Sequence, residues 1–392
     1  MQKIIYLDNS ATTKVHSSVI EAMKPFWDDY YANPSSLHQK GREVRETIEK
    51  AREQIARLLG ADPKEIIFTS GGTESDNLAL FGTAFANRSK GNHIITSQIE
   101  HHAVLNTCHQ LEKQGFEVTY LPVDSYGCVM IKELEKSLRK ETILVSIMHS
   151  NNEVGTIQPI EEIAEICGSK GVILHTDAVQ SIGKVRFDLG KNKLNLLSMS
   201  AHKIYGPKGV GVLYIRKGTK ITPLQYGGHH EFRRRAGTEN TAGMIGCAKA
   251  LELVYADMET TNKRMAELRN RLQEFIVGNI PEVKINGHLE KRLPHLLNIS
   301  FYYVEGESIL LNLDSYGICV SSGSACTSES LEPSHVLAAM DVPTEITHGS
   351  IRFSLGRETT KEEIDFTGKT LVKIIQRLRE MSPLYKQKSK VK

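Results

Sequence analysis

The sequence predicts an α/β fold, a large domain with a mostly parallel sheet flanked by helices plus a smaller α+β domain. Three observations lead there. The chain has 392 residues, which is too long for one small core. From Glu65 to Ile215 short, nearly continuous apolar runs alternate with helical patterns, as in parallel strands covered on both faces. Beyond about residue 258 the composition shifts to a second mixture of helices and strands. The expected division is 15–258 for the large domain, and 1–14 with 259–392 for the small one.

The opening residues contain a short strand, Ile4-Ile5-Tyr6-Leu7, and a polar turn, Asp8-Asn9-Ser10-Ala11-Thr12-Thr13. Apolar spacing (Val19, Ile20, Met23, Phe26, Trp27) predicts an amphipathic helix over about 17–30. A second helix is predicted over 41–59, closed by Gly60. Then the strand Glu65-Ile66-Ile67-Phe68-Thr69 runs into Ser70-Gly71-Gly72-Thr73 and a helix. Glycines and a hydroxyl at a helix start form an anion cradle, although such a junction also serves as a plain strand-to-helix turn. It lacks the G-K-[ST] of a nucleotide loop. Strands are predicted at His93–Ser97, Phe116–Val123, Thr142–Met148 and Val172–Thr176, with helices at 101–114, 131–140 and 160–170 between them.

The next apolar run, Leu196 to Ser200, ends in Ala201-His202-Lys203, a Gly206-Pro207-Lys208-Gly209 turn and another strand, Val210–Ile215. A lysine at the end of a buried strand can lose its charge by desolvation and act as a nucleophilic amine. Taken alone, it reads more simply as a surface lysine in a turn. Its company decides. Ligands of parallel sheets bind at the C-terminal strand ends. Those ends carry Gly72-Thr73, His101-His102, Asn151-Asn152-Glu153, Asp177 with Gln180, and Ser200 with His202 and Lys203. An anion cradle, an imidazole, carboxamides, a carboxylate and a lysine facing one crevice suit pyridoxal 5'-phosphate (PLP). The carboxylate meets the pyridine nitrogen, the amides the ring hydroxyl, the histidine the ring face, and the lysine the aldehyde.

Past the sheet, Gly227 to Asn240 is a polar, glycine-rich loop with the run Arg233-Arg234-Arg235, followed by a helical stretch predicted to about 278. The last third is expected to hold strands near 295–301, 317–321 and 350–355, and helices near 307–315, 333–340 and 360–381. Cys326 lies there, in Ser321-Ser322-Gly323-Ser324-Ala325-Cys326-Thr327-Ser328. Its neighbours are small and hydrophilic, which favours access to the thiol. Arg352, within a predicted strand, suits a bidentate grip on a carboxylate.

Composition narrows the class. Hydrophobic residues make up 40% and charged residues 24%, with net charge +3. That charge is too small to make nucleic acid or an anionic membrane the main partner. No apolar run approaches a membrane span, and the N-terminus lacks a signal-peptide layout; the expected setting is cytoplasmic. The six cysteines are scattered with no metal-binding spacing, so no metal site is expected.

Together these stretches resemble the PLP-dependent cysteine desulfurases of the NifS/IscS-like kind, within the class V aminotransferase group of fold-type I enzymes. The matching segments are Tyr6 to Thr13, Asn33 to Ser36, Thr69 to Asn77, Glu100 to His102, Asn151 to Gly155, His175 to Gln180, Ser200 to Gly209, Arg235 to Asn240, Ser321 to Ser328 and Ile351 to Arg357. The chain departs from the usual pattern at Ser10, where Asn is frequent, and at His229-His230, where Gly-Gln is common.

The resemblance implies a role for each residue. Lys203 is the Schiff-base lysine and later a proton carrier. His101 stacks on the ring and assists proton transfer, and Asp177 pairs with the ring nitrogen. Asn152 and Gln180 lie near the ring oxygen. Gly72, Thr73, Ser200 and His202 bind the phosphate, with Thr238 reaching over from the other subunit of a homodimer. Arg352 holds the substrate carboxylate, with Asn152 beside the substrate. Cys326, on a mobile loop at about 321–332, attacks the substrate sulfur. The implied reaction converts L-cysteine to L-alanine and leaves a persulfide on Cys326. That sulfur passes to an acceptor protein, such as an iron–sulfur scaffold or a tRNA thiouridylase. Selenocysteine lyase and small amino acid aminotransferase chemistry on the same fold are the alternatives. A scaffold protein that has lost catalysis is a third.

Overall fold

The computed structural model describes residues 4–322, 333–383 and 385. A 7-stranded sheet forms its centre, in the order Ile66–Thr69, Gly211–Ile215, Leu196–Ser200, Ile173–Asp177, Thr142–Ser146, His93–Ser97, Glu117–Leu121. Gly211–Ile215 runs antiparallel to both its neighbours, and the remaining pairings are parallel. Side chains alternate between two cores with the period of two that a pleat imposes. Phe68, Ile95, Leu197, Met199, Val212 and Tyr214 pack on one face with the helices Gln39–Leu59 and Thr241–Ala256. Ile67, Ile94, Leu196, Leu213 and Ile215 pack on the other with Gly72–Asn87 and His102–Glu112. Burial on both faces is why the strands read as continuous apolar runs.

A third core gathers Ile5, Leu7, Leu297, Ile299, Phe301, Ile351 and Phe353. It lies on a 4-stranded antiparallel sheet ordered Ser321–Ser322, Ser350–Ser354, Leu296–Phe301, Val283–Asn286. Lys361–Met381 covers it, started by a capping box between Thr360 and Glu363. The N-terminal strand Ile5–Tyr6 pairs in parallel with Ile318–Cys319. The first residues therefore pack with the last third of the chain.

Three elements differ from the sequence expectation. The first helix is Ser17–Met23 and tightens into a 3-10 turn over Lys24–Trp27, because Pro25 has no N–H to continue it. The stretch to 278 is two helices, Thr241–Ala256 and Met258–Asn279. The break falls at Asp257, whose carboxylate takes both Arg357 Nη groups at 2.7 and 2.6 Å. The edge strand Val283–Asn286 was not anticipated; it is half-buried and carries no clear alternation.

The glycine-rich loop is held by a buried ion pair. Glu231, Phe232 and Arg233 all have positive φ, at 44°, 56° and 64°, a strained run for side-chain-bearing residues. The Glu231 carboxylate accepts from both Arg52 Nη groups at 2.8 and 2.7 Å and from the N–H of Phe68 at 2.7 Å. Both side chains are 3% exposed. Glu231→Ala leaves the buried Arg52 with only the looser Glu49 carboxylate, 3.3 Å from Nε, and roughly 3 kcal/mol of stability is expected to be lost. A urea titration reads that loss directly, and an unchanged midpoint contradicts it.

Candidate active site

The parallel strands deliver their C-terminal ends to one cleft of about 270 Å³. Its lining includes Gly72, Thr73, His101, Asn152, Asp177, Gln180, Ser200, His202, Lys203 and Arg352. Ten of the residues singled out from the sequence thus converge. Thr238 does not line this cleft; it is exposed on the loop after Gly237. Cys326 lies outside the described residues. The described chain stops at Ser322, where Ser321 pairs with Arg352, and resumes at Pro333. There the Ser334 hydroxyl donates to the Glu153 carboxylate, next to Asn152.

Lys203 closes a 3-10 turn at the end of Leu196–Ser200. Its Nζ donates to the carbonyls of Ser10 and Ala11, the latter at 2.8 Å. The N-terminal polar turn is therefore a wall of the site. Asp177 ends the neighbouring strand and is 6% exposed. Burial pushes its carboxyl up to about 6, against the pull of the Val179 N–H, 2.8 Å from Oδ1, and of the Lys203 charge. Asp76, one helical turn after Thr73, is 1% exposed and lines the same cleft. Burial and then the neighbouring Asp177 hold it well above the usual carboxylate range. Sequence reasoning missed Asp76. The signal was its spacing of three from Thr73, which puts both on one helix face.

His101 caps the helix His102–Glu112, its Nδ1 accepting from the Ala103 N–H at 3.1 Å. That bond assigns the neutral ring's proton to Nε2. Burial, then the charges of Lys203, His102 and His335, pull its pKa down to about 4. The ring is neutral at physiological pH. His202 is likewise drawn down to about 4 by burial and the nearby lysines, and its Nδ1 lies 3.1 Å from the Thr12 hydroxyl. Arg352 is held by the Asn152 carbonyl at 3.1 Å from Nη1 and by Asp8 Oδ1 at 2.8 Å from Nη2. Its Nε is buried with no hydrogen-bond partner.

The donor set fits PLP. A helix N-terminus with Thr73, Ser200 and His202 faces the cleft and suits a phosphate dianion. Gly72 packs so tightly that a Cβ there would lie 2.8 Å from Val179 Cγ2, so any side chain at this position has to displace Val179. Gln180 donates from Nε2 to the Ser10 carbonyl at 3.0 Å, while its Oε1 is buried without a partner. That orphaned acceptor suits the ring hydroxyl. The Asp177 carboxylate suits a ring nitrogen and the Lys203 amine an aldehyde.

Comparison with known proteins agrees. The family model "Aminotransferase class-V" matches residues 5–366. A protein described as "Cysteine desulfurase IscS", from Dictyoglomus turgidum, is 56% identical over 391 residues, covering 100% of this chain and 99% of that protein. A solved structure described as "NIFS-LIKE PROTEIN" superposes with a TM-score of 0.90 at 43% identity, over 95% of this chain and 100% of the other. Another, "SspA in complex with cysteine", gives a TM-score of 0.80 at 36% identity, over 91% of this chain and 100% of its own. Among the described residues no helix is long and apolar enough to cross a membrane. The chain belongs to the cysteine desulfurases of the class-V aminotransferase family.

Proposed function

We propose that this enzyme, a PLP-dependent cysteine desulfurase, takes sulfur from L-cysteine onto Cys326 and hands it to an acceptor protein. The observation that carries the reading is the convergence of Lys203, Asp177, His101 and Arg352 on one cleft. When bound, PLP supplies an electron sink for the charge that develops on the substrate carbons. Lys203 anchors it and then moves a proton at Nζ. Asp177, ionised above about pH 6, holds the proton on the ring nitrogen. Neutral His101, with its proton at Nε2, would face the ring and assist proton transfer. Thr73, Ser200 and His202 would hold the phosphate, and Arg352, whose Nε has no partner while Nη2 is engaged by Asp8, would attract the substrate carboxylate.

At Cys326 the thiolate attacks the substrate sulfur. An S–S bond forms and the substrate Cβ–S bond breaks, its electron pair staying with carbon. The carbon takes up a proton. L-Cysteine and the enzyme thiol thus become L-alanine and an enzyme persulfide, with no outside oxidant or reductant. Turnover of L-cysteine with equal amounts of alanine and, in the presence of a thiol, sulfide tests this. Consumption of cysteine without alanine sends the reaction to another PLP chemistry.

A homodimer completes the phosphate site in this reading. Thr238 is exposed and outside its own cleft, and Trp27, Tyr31, Leu37 and Tyr226 offer exposed apolar surface, between 64% and 83% accessible. The same reading assigns 15–258 to the cofactor domain and 1–14 with 259–392 to the domain carrying Cys326. It places the protein in the cytoplasm, with an iron–sulfur scaffold or a tRNA thiouridylase as acceptor.

Asp177 makes PLP capture pH-dependent. Its pKa is raised, so the anion exists above about 6 and is lost as pH falls through that value. Apoprotein affinity for PLP is expected to fall as pH drops from 7 to 5. Asp177→Asn should weaken binding by about 10²-fold at pH 7.5 and flatten that dependence. A fluorescence titration with PLP at each pH measures both.

A further inference from the structure

The 3-10 turn Ala201–Lys203 has three backbone carbonyls to satisfy, and each goes to a different donor. Ala201 accepts from the N–H of Ile204 and of Gly206, at 3.0 and 2.9 Å. His202 accepts from the N–H and the hydroxyl of Thr13, both at 2.9 Å. The carbonyl of Lys203 itself accepts from Nζ of Lys184, at 2.9 Å.

Lys184 is firmly placed. It follows the strand Ile173–Asp177, and its N–H donates to the Ser181 carbonyl at 2.9 Å. Its carbonyl accepts from Asn262 Nδ2, on the helix Met258–Asn279, at 2.7 Å. The side chain lines a cavity of about 10 Å³ together with Ile204, Tyr205, Val254, Met265 and Arg357. Among the described residues no carboxylate pairs with its ammonium. A backbone carbonyl needs only a neutral donor or a water. Spending a lysine without a counter-ion on it is costly, which points to a use for the charge.

We infer that Lys184 is a positioning residue for Lys203: it fixes the carbonyl of that residue and sets a second positive charge beside the turn that carries it. The inference rests on the reading of Lys203 as the PLP lysine. Burial first and then repulsion from Lys203 draw Lys184 down to about 7. The repulsion is mutual, and it disfavours a proton on the Lys203 nitrogen. His202 and His295 feel the same charge. His101 and Arg352 also face Lys203 as bases or cations, and Asp177 and Asp76 as carboxyls of the opposite tendency. The sign follows. Below about pH 7 Lys184 is charged and the imine nitrogen between Lys203 and PLP is held unprotonated. Above it, the effect fades.

The test is a pH titration of the visible absorbance of PLP-loaded protein without substrate, in native, Lys184→Met and Lys184→Arg forms. In Lys184→Met the midpoint is expected to rise by on the order of one pH unit, with a larger protonated fraction at pH 6 than in the native protein. Lys184→Arg, which keeps the donor and stays charged across the titration, should show a midpoint at or below the native one and never above it. Identical midpoints in native and Lys184→Met overturn the inference, as does an equal shift in both variants, since that reports distorted packing. Should Lys184→Met fail to fold, Lys184→Gln carries the same expectation. An absorbance that survives Lys203→Ala is a separate result. It removes Lys203 as the PLP lysine, and this inference with it.

Discussion

Lys203→Ala is expected to lower cysteine turnover by about 10⁴-fold, the upper end of what one proton-transferring group contributes. The protein should also lose the visible absorbance of a lysine-bound cofactor. The side chain is the one amine among the described residues lining the cleft, so none of those neighbours inherits either role. The fold should survive the change. The carbonyls of the turn are held by Thr13, Lys184 and local N–H groups, none of which needs the Lys203 side chain. The thermal midpoint of the apoprotein should therefore stay within a few degrees of the native value, about what a 1 kcal/mol change produces. Steady-state alanine formation and an absorbance spectrum check the two halves. Added methylamine should return part of the activity, because it replaces the missing amine and not a missing structure. Undiminished turnover in the variant would remove Lys203 from the chemistry.

The strand ends were legible in the sequence for a physical reason. Strands buried on both faces have no polar positions within them, so the first polar residues after each apolar run mark where the sheet stops. Thr73, His101, Asn152, Asp177 and Lys203 were found that way, and the structure brings them to one cleft. What the sequence hid came from elements that approach sideways. Ser10 and Ala11 accept from Lys203 through backbone carbonyls, and a carbonyl has no residue signature. Asp8 and Arg352 are 344 residues apart, yet 2.8 Å separates their charged atoms. Their meeting depends on the N-terminal strand joining the last third of the chain. Glu231 sits in a polar, glycine-rich loop with nothing in its sequence to mark burial, and the structure shows it buried against Arg52 and the Phe68 N–H.

Cys326→Ala is expected to bind L-cysteine, with a change in the cofactor spectrum, yet to release neither sulfide nor alanine, a loss on the order of 10³-fold or more. The other five cysteines are poorly suited to the role. Cys108, Cys167 and Cys247 are buried, and burial pushes their thiols well above the ordinary range. They stay protonated and are poor nucleophiles. Cys128 and Cys319 are partly exposed, but burial and nearby carboxylates raise them too. None of the five lines the cleft. Cys326 remains, in a stretch of small polar residues that the described chain enters beside Arg352 and leaves beside Glu153. The spectral change separates this role from simple loss of binding, because substrate still reaches PLP when only the sulfur acceptor is missing. Alkylating the native protein should give the same phenotype, and alkylating Cys326→Ala should change nothing further. Full sulfide release by the variant would assign the sulfur to another acceptor.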